Sequence, residues 1–300
     1  MRGSRVEYLW RRLLLSEEFC GPILDRPAHE ISTSDVADIL RPVWHTKPEI
    51  ARKLYPAIRR TFELARIELR DRHDIIFANP ARWDDLKALE FESPRALSRG
   101  HHPALPYQRL PEFMAALRVR GGLGSLLLET IILTNVRTGT ALLAKFDQFD
   151  CEAGVWSVPP ENLKDRKHRK EAFRVPLPPR IVEIVRFMDS VRQSDFVFRG
   201  RAPEAPMSSF AAMSTIERMN GDDPIWIDPA SGRKITPHGF RSSFRNWAAE
   251  TQSTPHAVIE LSMGHHVAAA VECAYLRADL LEQRRALILA WADHCEGARS

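Results

Sequence analysis

From Pro48 to about Arg72 the apolar residues Ile50, Leu54, Ile58, Phe62, Ala65 and Leu69 fall at steps of three and four, which predicts a long amphipathic helix. Its other face carries Arg52, Lys53, Arg59, Arg60 and Arg66, as a solvated helix face would. Upstream, Ser34 reads as an N-cap for a helix through Val36, Ala37, Ile39 and Leu40, and Asn79-Pro80 stops the helical pattern downstream. From Glu92 to Pro106 the chain contains Ser, Pro, Gly and two His with no apolar period, so this stretch reads as an inter-domain linker. Beyond it, Leu110 to Leu117 and Leu123 to Leu133 read as buried helices. The period then shortens. Val155 to Val158 and Phe173 to Leu177 read as short strands, with Glu152-Ala153-Gly154 as a hairpin turn before the first, giving a small sheet of about three strands. Helical patterns resume at Pro179 to Val191 and Ser208 to Met219. A loop with Pro224, Pro229, Gly232 and Pro237 follows, and the last seventy residues are helical.

Composition adds little to this. The 300 residues are 44% hydrophobic and 27% charged, as in ordinary globular proteins, and no repeat or low-complexity segment occurs. A net charge of +4 hints at a polyanionic partner. Cys20, Cys151, Cys273 and Cys295 are scattered and make no C-x-x-C pair, which fits a reducing cytoplasm better than a disulfide framework or zinc site. Leu13 to Leu15 is too short for a signal peptide. The run Leu126 to Leu133, broken by Glu129 and Thr130, is too short to span a bilayer. No membrane role is expected.

Four polar stretches carry candidate chemistry. Thr134-Asn135-Val136-Arg137-Thr138-Gly139 is a turn between two apolar helices, where an arginine would ordinarily cap a helix end. Asn162 to Lys170 is a basic loop between strands, as any solvated hairpin tip could be. His238-Gly239-Phe240-Arg241 opens a helix after Pro237, so His238 and Arg241 project from one face. Met263-Gly264-His265-His266 is followed, ten residues after His265, by Tyr275. A lone helical Tyr is usually a packing residue. Adjacent His265 and His266 point apart on a helix and do not suggest a metal site.

Taken together and in order, Arg, Lys, His-x-x-Arg, His, Tyr resembles the tyrosine recombinase or phage integrase family, and within it the integrases of satellite phages and genomic islands. Gly154-Val155-Trp156-Ser157-Val158-Pro159, Phe244-Arg245-Asn246-Trp247 and Ala274-Tyr275-Leu276-Arg277-Ala278-Asp279 support the likeness. Leu40 to Pro48 and Asn79 to Trp83 extend it over nearly the whole chain.

The resemblance implies a mainly α fold with a small antiparallel β-sheet (α+β). Residues 1–95 would form a helical core-binding domain, 96–106 a linker and 107–300 the catalytic domain. Tyr275 would attack the scissile phosphate, Arg137 and Arg241 would clamp its oxygens, and His238 would accept the phenol proton. Lys164, at the family's distance after Trp156 and Pro159, would protonate the leaving 5′-oxygen, and His265 would hydrogen-bond the phosphate. Lys167, Arg169, Lys170, Arg59, Arg60 and Arg245 would contact DNA. No cofactor or metal is implied. The implied partners are double-stranded attachment-site DNA, a synaptic tetramer of this chain, and accessory DNA-bending or directionality proteins.

Some features depart from the pattern. The family's usual acidic residue three after the first arginine is here Thr140, which carries no charge and suggests a looser site. A small arm-site DNA-binding domain usually precedes the core-binding domain, and this chain starts close to the latter. Residues 225–232 form an extra loop of no evident role. The stripe Leu280, Leu281, Arg284, Leu287, Ile288 and Trp291 could serve its own core. The resemblance favours docking on a neighbouring protomer. Two rival functions remain open on sequence: a DNA-binding protein with weakened catalysis, and a type IB topoisomerase relaxing DNA as a monomer.

Overall fold

The structure is a computed structural model describing residues 2–94, 96, 102–164, 169–202, 204–265 and 279–297, with side chains from residue 7 onward. The chain divides into two units, residues 1–100 and residues 101–300.

The first unit is helical: α1 (Arg2–Leu14), α2 (Glu17–Cys20), α3 (Thr33–Trp44), α4 (Pro48–His73) and α5 (Trp83–Ala88). The cap of α3 is Ser32, not Ser34. Its hydroxyl accepts from the Asp35 N–H at 3.2 Å, while the Asp35 carboxylate accepts the Ser32 N–H at 2.8 Å. That reciprocal pair satisfies two otherwise orphaned donors and so fixes where the helix begins. The predicted apolar stripe of α4 buries Leu54, Ile58 and Phe62 against Val36, Leu40 and Trp44 of α3. Trp44 stacks on Trp83 and meets Phe91 and Tyr55 edge-on, which closes this small core with aromatic area.

The second unit is mainly α with small antiparallel sheets. Its central helix α7 (Leu123–Thr134) is buried almost throughout and packs against α6 (Leu110–Arg120) and α10 (Ala211–Asn220). After the short α8 (Thr138–Leu142) comes a sheet of β1 (Phe149–Asp150), β2 (Val155–Val158) and β3 (Phe173–Pro176), in that spatial order. Trp156 faces Val175 and Val158 faces Phe173 across the β2–β3 pair, so the buried residues alternate inward as the period-two pattern requires. Helix α9 (Pro179–Ser190) follows the sheet. Helices α11 (Gly239–Thr251), α12 (His256–Ser262) and α13 (Leu281–Cys295) complete the unit among the described residues.

Two sequence readings change here. Residues 102–106, expected in the linker, belong to the second unit. Leu105 is buried, the Pro103 carbonyl accepts from the Thr236 N–H at 3.2 Å, and the Ser243 hydroxyl donates to the Leu105 carbonyl. Gly239 lies so close to the Pro103 carbonyl that any Cβ would collide with it. The stripe of α13, expected on a neighbour, is covered by its own unit. Arg284, Leu287, Ile288 and Trp291 are each at most 2% exposed, and the Trp291 indole donates to the Ile132 carbonyl of α7 at 2.9 Å. Burying side chains such as Leu287 and Ile288 gives roughly 1.5–3 kcal/mol each, so the domain core uses this face itself.

The extra loop is also accounted for. β4 (Ile227–Asp228) and β5 (Arg233–Lys234) make a hairpin flanked by buried Trp226 and Ile235. Trp226 packs edge-on against Phe113 of α6, and Arg109 lies over its outer face. The hairpin thereby anchors the chain just before Thr236 and His238.

Candidate active site

Asn135 ends α7 in the left-handed region, φ 54°, and this turn throws the chain into Arg137, the N-cap of α8. Arg137 is half-buried. Across from it, Arg241 sits in the first turn of α11 at 4% exposure, and three groups hold it. Its guanidinium donates to the Asn135 carbonyl, to the Met263 carbonyl at 2.8 Å, and lies 2.8 Å from His265 Nε2. These contacts tie two separate segments, the end of α7 and the turn after α12, to one side chain. Burial, and then the nearby Arg137 charge, lower the Arg241 pKa to about 10, which leaves it cationic at neutral pH.

His238 precedes α11 and keeps an edge open to solvent, with the His102 ring 4.4 Å away between centroids. Partial burial, followed by His102, Arg241, Arg137 and Lys164, lowers its pKa to about 4. The imidazole is therefore neutral at pH 7 and has a free lone pair to accept a proton. Lys164 is exposed and close enough for its charge to act on His238.

His265, just past α12, is half-buried. Its Nδ1 lies 2.7 Å from Glu260 Oε2, a carboxylate one helical turn earlier. Glu260 Oε1 faces Arg245 Nε at 2.9 Å and His256 at 3.6 Å. The turn into His265 needs Gly264: its φ is 65°, and a Cβ would press on the Phe173 ring at 3.1 Å.

The structure thus brings Arg137, Lys164, His238, Arg241 and His265 around one point of the second unit, where, among the described residues, cationic groups outnumber the carboxylate of Glu260. Such a cluster suits an anion with several oxygens, since planar guanidinium forks match phosphate geometry. Among the described residues, no three His, Cys, Asp or Glu side chains converge as metal ligands.

The expected DNA contacts are dispersed. Arg59 and Arg60 are exposed on α4 and, with Arg66, Arg82, Phe77 and Trp83, line a groove of about 830 Å³ in the first unit. Lys170 is exposed. Arg245 is exposed but paired with Glu260. Arg169 turns inward, donating to the Gly264 carbonyl at 3.2 Å and lying over Phe173, so it supports the His265 turn. Lys167 and Tyr275 lie outside the described residues.

Sequence reasoning missed Glu260, whose only signal is an acid one turn before Gly264-His265. It also missed the role of Thr140. That hydroxyl donates to the Asn162 carbonyl at 3.1 Å, and the Asn162 side chain returns a bond to the Leu143 carbonyl at 3.3 Å. Thr140 therefore pins α8 to the loop that carries Lys164 two residues on.

Comparison with known proteins agrees with this architecture. Residues 107–280 match the family model described as phage integrase family. The chain is 29% identical over 277 residues to prophage integrase IntZ of Escherichia coli K12, covering 91% of this chain and 62% of that protein. It is 26% identical over 240 residues to the integrase of Enterobacteria phage P4, covering 76% of this chain and 52% of that protein. The chain thus spans little more than half the length of these relatives. Among solved structures, residues 75–356 of a lambda integrase, as a dimer bound to a core site, align with TM-score 0.58 at 15% identity, covering 85% of this chain and 86% of that one. The Tn1549 transposon integrase in complex with circular intermediate DNA aligns with TM-score 0.59 at 14% identity, covering 95% and 93%. The fold is shared with both, and the match to the family model spans more than half of the sequence. The chain belongs to the phage integrase family, the tyrosine recombinases.

Proposed function

We propose that this chain is a site-specific DNA recombinase that integrates or excises a mobile element through a 3′-phosphotyrosyl intermediate. The observation that carries this reading is the convergence of Arg137, Lys164, His238, Arg241 and His265, from four stretches of the sequence, on one cationic point. The Tyr275 phenol oxygen bonds to the scissile phosphorus as the bond to the 5′-oxygen breaks. His238, neutral at physiological pH, takes the phenol proton. Lys164 protonates the departing 5′-oxygen. Arg137 and Arg241 hold the non-bridging oxygens, whose charge grows in the transition state, and supply the electrostatic stabilisation that a metal ion gives in other phosphoryl transfers. Resealing reverses the steps with a 5′-hydroxyl as nucleophile, so the phosphodiester energy is kept in the protein–DNA ester.

On this reading residues 1–95 bind the flanking duplex, with Arg59 and Arg60 on phosphates, residues 96–100 connect, and the second unit, residues 101–300, cleaves. Affinity rests on phosphate contacts and falls steeply with salt. The working form is a tetramer of this chain on two attachment sites, acting in the cytoplasm. The reading is supported by relatives named as integrases and by neighbours solved with DNA, one of them a lambda integrase tetramer on a Holliday junction.

The test is a suicide substrate in which the 5′-hydroxyl fragment diffuses away after cleavage. Wild-type protein should accumulate a covalent adduct on denaturing gels, and Tyr275→Phe should bind the DNA equally and form none. A normal adduct yield from Tyr275→Phe removes Tyr275 as the nucleophile. Relaxation of plasmid lacking an attachment site, at the rate of one carrying it, would instead favour the topoisomerase reading.

A further inference from the structure

We propose that Glu260 is a positioning residue of the active site, acting through His265: it holds the Nδ1 proton and lets the imidazole become a donor to the scissile phosphate. The inference rests on the recombinase reading above and extends it to a residue that acts through its neighbour.

The argument starts from what His265 does in the DNA-free chain. Nδ1 lies 2.7 Å from Glu260 Oε2, and a carboxylate at that distance fixes the proton on Nδ1. Nε2 then presents its lone pair to Arg241, 2.8 Å away. In that state His265 accepts, and an acceptor cannot bind a phosphate oxygen. To donate from Nε2 it must carry a second proton and become imidazolium.

The groups facing it set how readily that happens. Burial disfavours the charged ring, as do the charges of Arg241 and Arg137. Glu260 is the opposing influence, and the net pKa still lies below the ordinary histidine value. Arg169 approaches from the β2–β3 loop but spends its donor on the Gly264 carbonyl. The other oxygen of Glu260, Oε1, faces Arg245 Nε at 2.9 Å, with His256 beyond at 3.6 Å. When a phosphate enters between Arg137 and Arg241, it offsets their two charges, and its own negative charge joins that of Glu260 in favouring the imidazolium against burial. His265 then takes up a proton as the anion arrives. The substrate thereby completes the donor set around itself.

This arrangement also answers the absence of an acid at Thr140. The charge that would orient the site from the α8 side is supplied from α12, through the other histidine face.

Glu260→Gln tests the idea, because it keeps the shape and an acceptor oxygen and removes only the charge. In single-turnover cleavage of the suicide substrate, this variant should lose about 10–100-fold in rate, the scale on which the partners of an oriented histidine matter. Half-site affinity should be unchanged. The alkaline limb of its pH–rate profile should move about one to three units toward acid, the range for losing a neighbouring opposite charge. Glu260→Asp should recover part of the shift. On a His265→Gln background the further change Glu260→Gln should alter the rate by less than about 2-fold, since the two act as one unit.

An unmoved alkaline limb, or an equal loss on the His265→Gln background, overturns the proposal. A second measurement needs no DNA cleavage. Nitrogen-15 histidine spectra of the whole chain should show His265 protonated on Nδ1 and a lower imidazole pKa in Glu260→Gln, and an unchanged titration overturns the positioning role. If wild-type protein forms no adduct while these spectra behave as expected, it is the recombinase reading that fails.

Discussion

Arg284 and Arg241 are both buried arginines of the second unit, exposed by 1% and 4%, and burial lowers the pKa of each to about 10. Their surroundings differ in kind. Arg284 donates to the Asp279 carbonyl at 2.7 Å, the Asp279 carboxylate at 3.2 Å and the Arg174 carbonyl at 2.7 Å, while Arg174 grips the same carboxylate with two bonds. Charge and donors are closed within the fold. Arg241 has two carbonyls and an imidazole nitrogen, a second arginine nearby, and no carboxylate in direct contact among the described residues. A buried cation that the fold leaves electrostatically unbalanced raises the cost of folding, and a polyanion entering the site offsets that cost. The first arginine is committed to the fold, and on the recombinase reading the second is kept for the scissile phosphate.

The largest expected effect separates them directly. Arg241→Met should slow cleavage by about 10²–10³-fold, as removing one oxyanion donor does, while the thermal midpoint stays level or rises. Single-turnover rates and calorimetry on one preparation check both halves. A large loss of stability with cleavage intact would reverse the contrast.

Arg284→Met should do the opposite. It strands Asp279 and the Arg174 carbonyl, and should cost about 2–4 kcal/mol in urea unfolding, somewhat below a fully buried pair because Asp279 and Arg174 remain partly exposed. Burial alone would raise the Asp279 pKa. The Arg174 bond and the Arg284 and Arg174 charges win, and hold it below the usual carboxylate range. This contribution is therefore present above the ordinary aspartate pKa, and is lost as pH falls through the lower folded value. The urea difference between wild type and Arg284→Met should shrink in that acid window. A difference that stays constant with pH would mean that Arg284 acts through its two carbonyl bonds and its packing on Phe173, not through the Asp279 charge.

The same contrast explains what the sequence disclosed. Helix α4 was legible from Ile50 to Leu69 because a period near 3.6 survives in the order of residues, and β2 and β3 from alternation. The stripe of α13 was legible as a covered face, but periodicity cannot say what covers it. Only the tertiary fold assigns Trp291 to the Ile132 carbonyl. Arg137, His238, Arg241 and His265 stood out as an ordered set because their types and spacing are unusual together. Glu260 and Thr140 did not, since each acts through one hydrogen bond to a neighbour distant or unremarkable in sequence. Ser34 reads as a cap on residue type alone, and the reciprocal bond of Ser32 with Asp35 starts the helix two residues earlier.

Thr140 gives the smallest effect and the sharpest check on which residues hold the site. It is 4% exposed, and its hydroxyl is committed to the Asn162 carbonyl. Thr140→Val keeps the volume and removes the donor, so stability should fall by about 1 kcal/mol, the net worth of one such bond with a polar group left behind. Because Asn162 precedes Lys164 by two residues, cleavage should slow by about 3–10-fold, equivalent to roughly 1 kcal/mol of misplacement. A 5′-bridging sulfur, which leaves without a proton, should erase most of that loss, since the fault lies in placing the lysine. The contrasting variant is Thr140→Asp, which restores the acid usual at this position. In this chain it sets a carboxylate against the Asn162 carbonyl, so it should be slower than Thr140→Val. If the aspartate variant instead cleaves faster than wild type, the arginine clamp lacks a charge that Glu260 does not supply, and Thr140 is a deficit in the site instead of a brace for its loop.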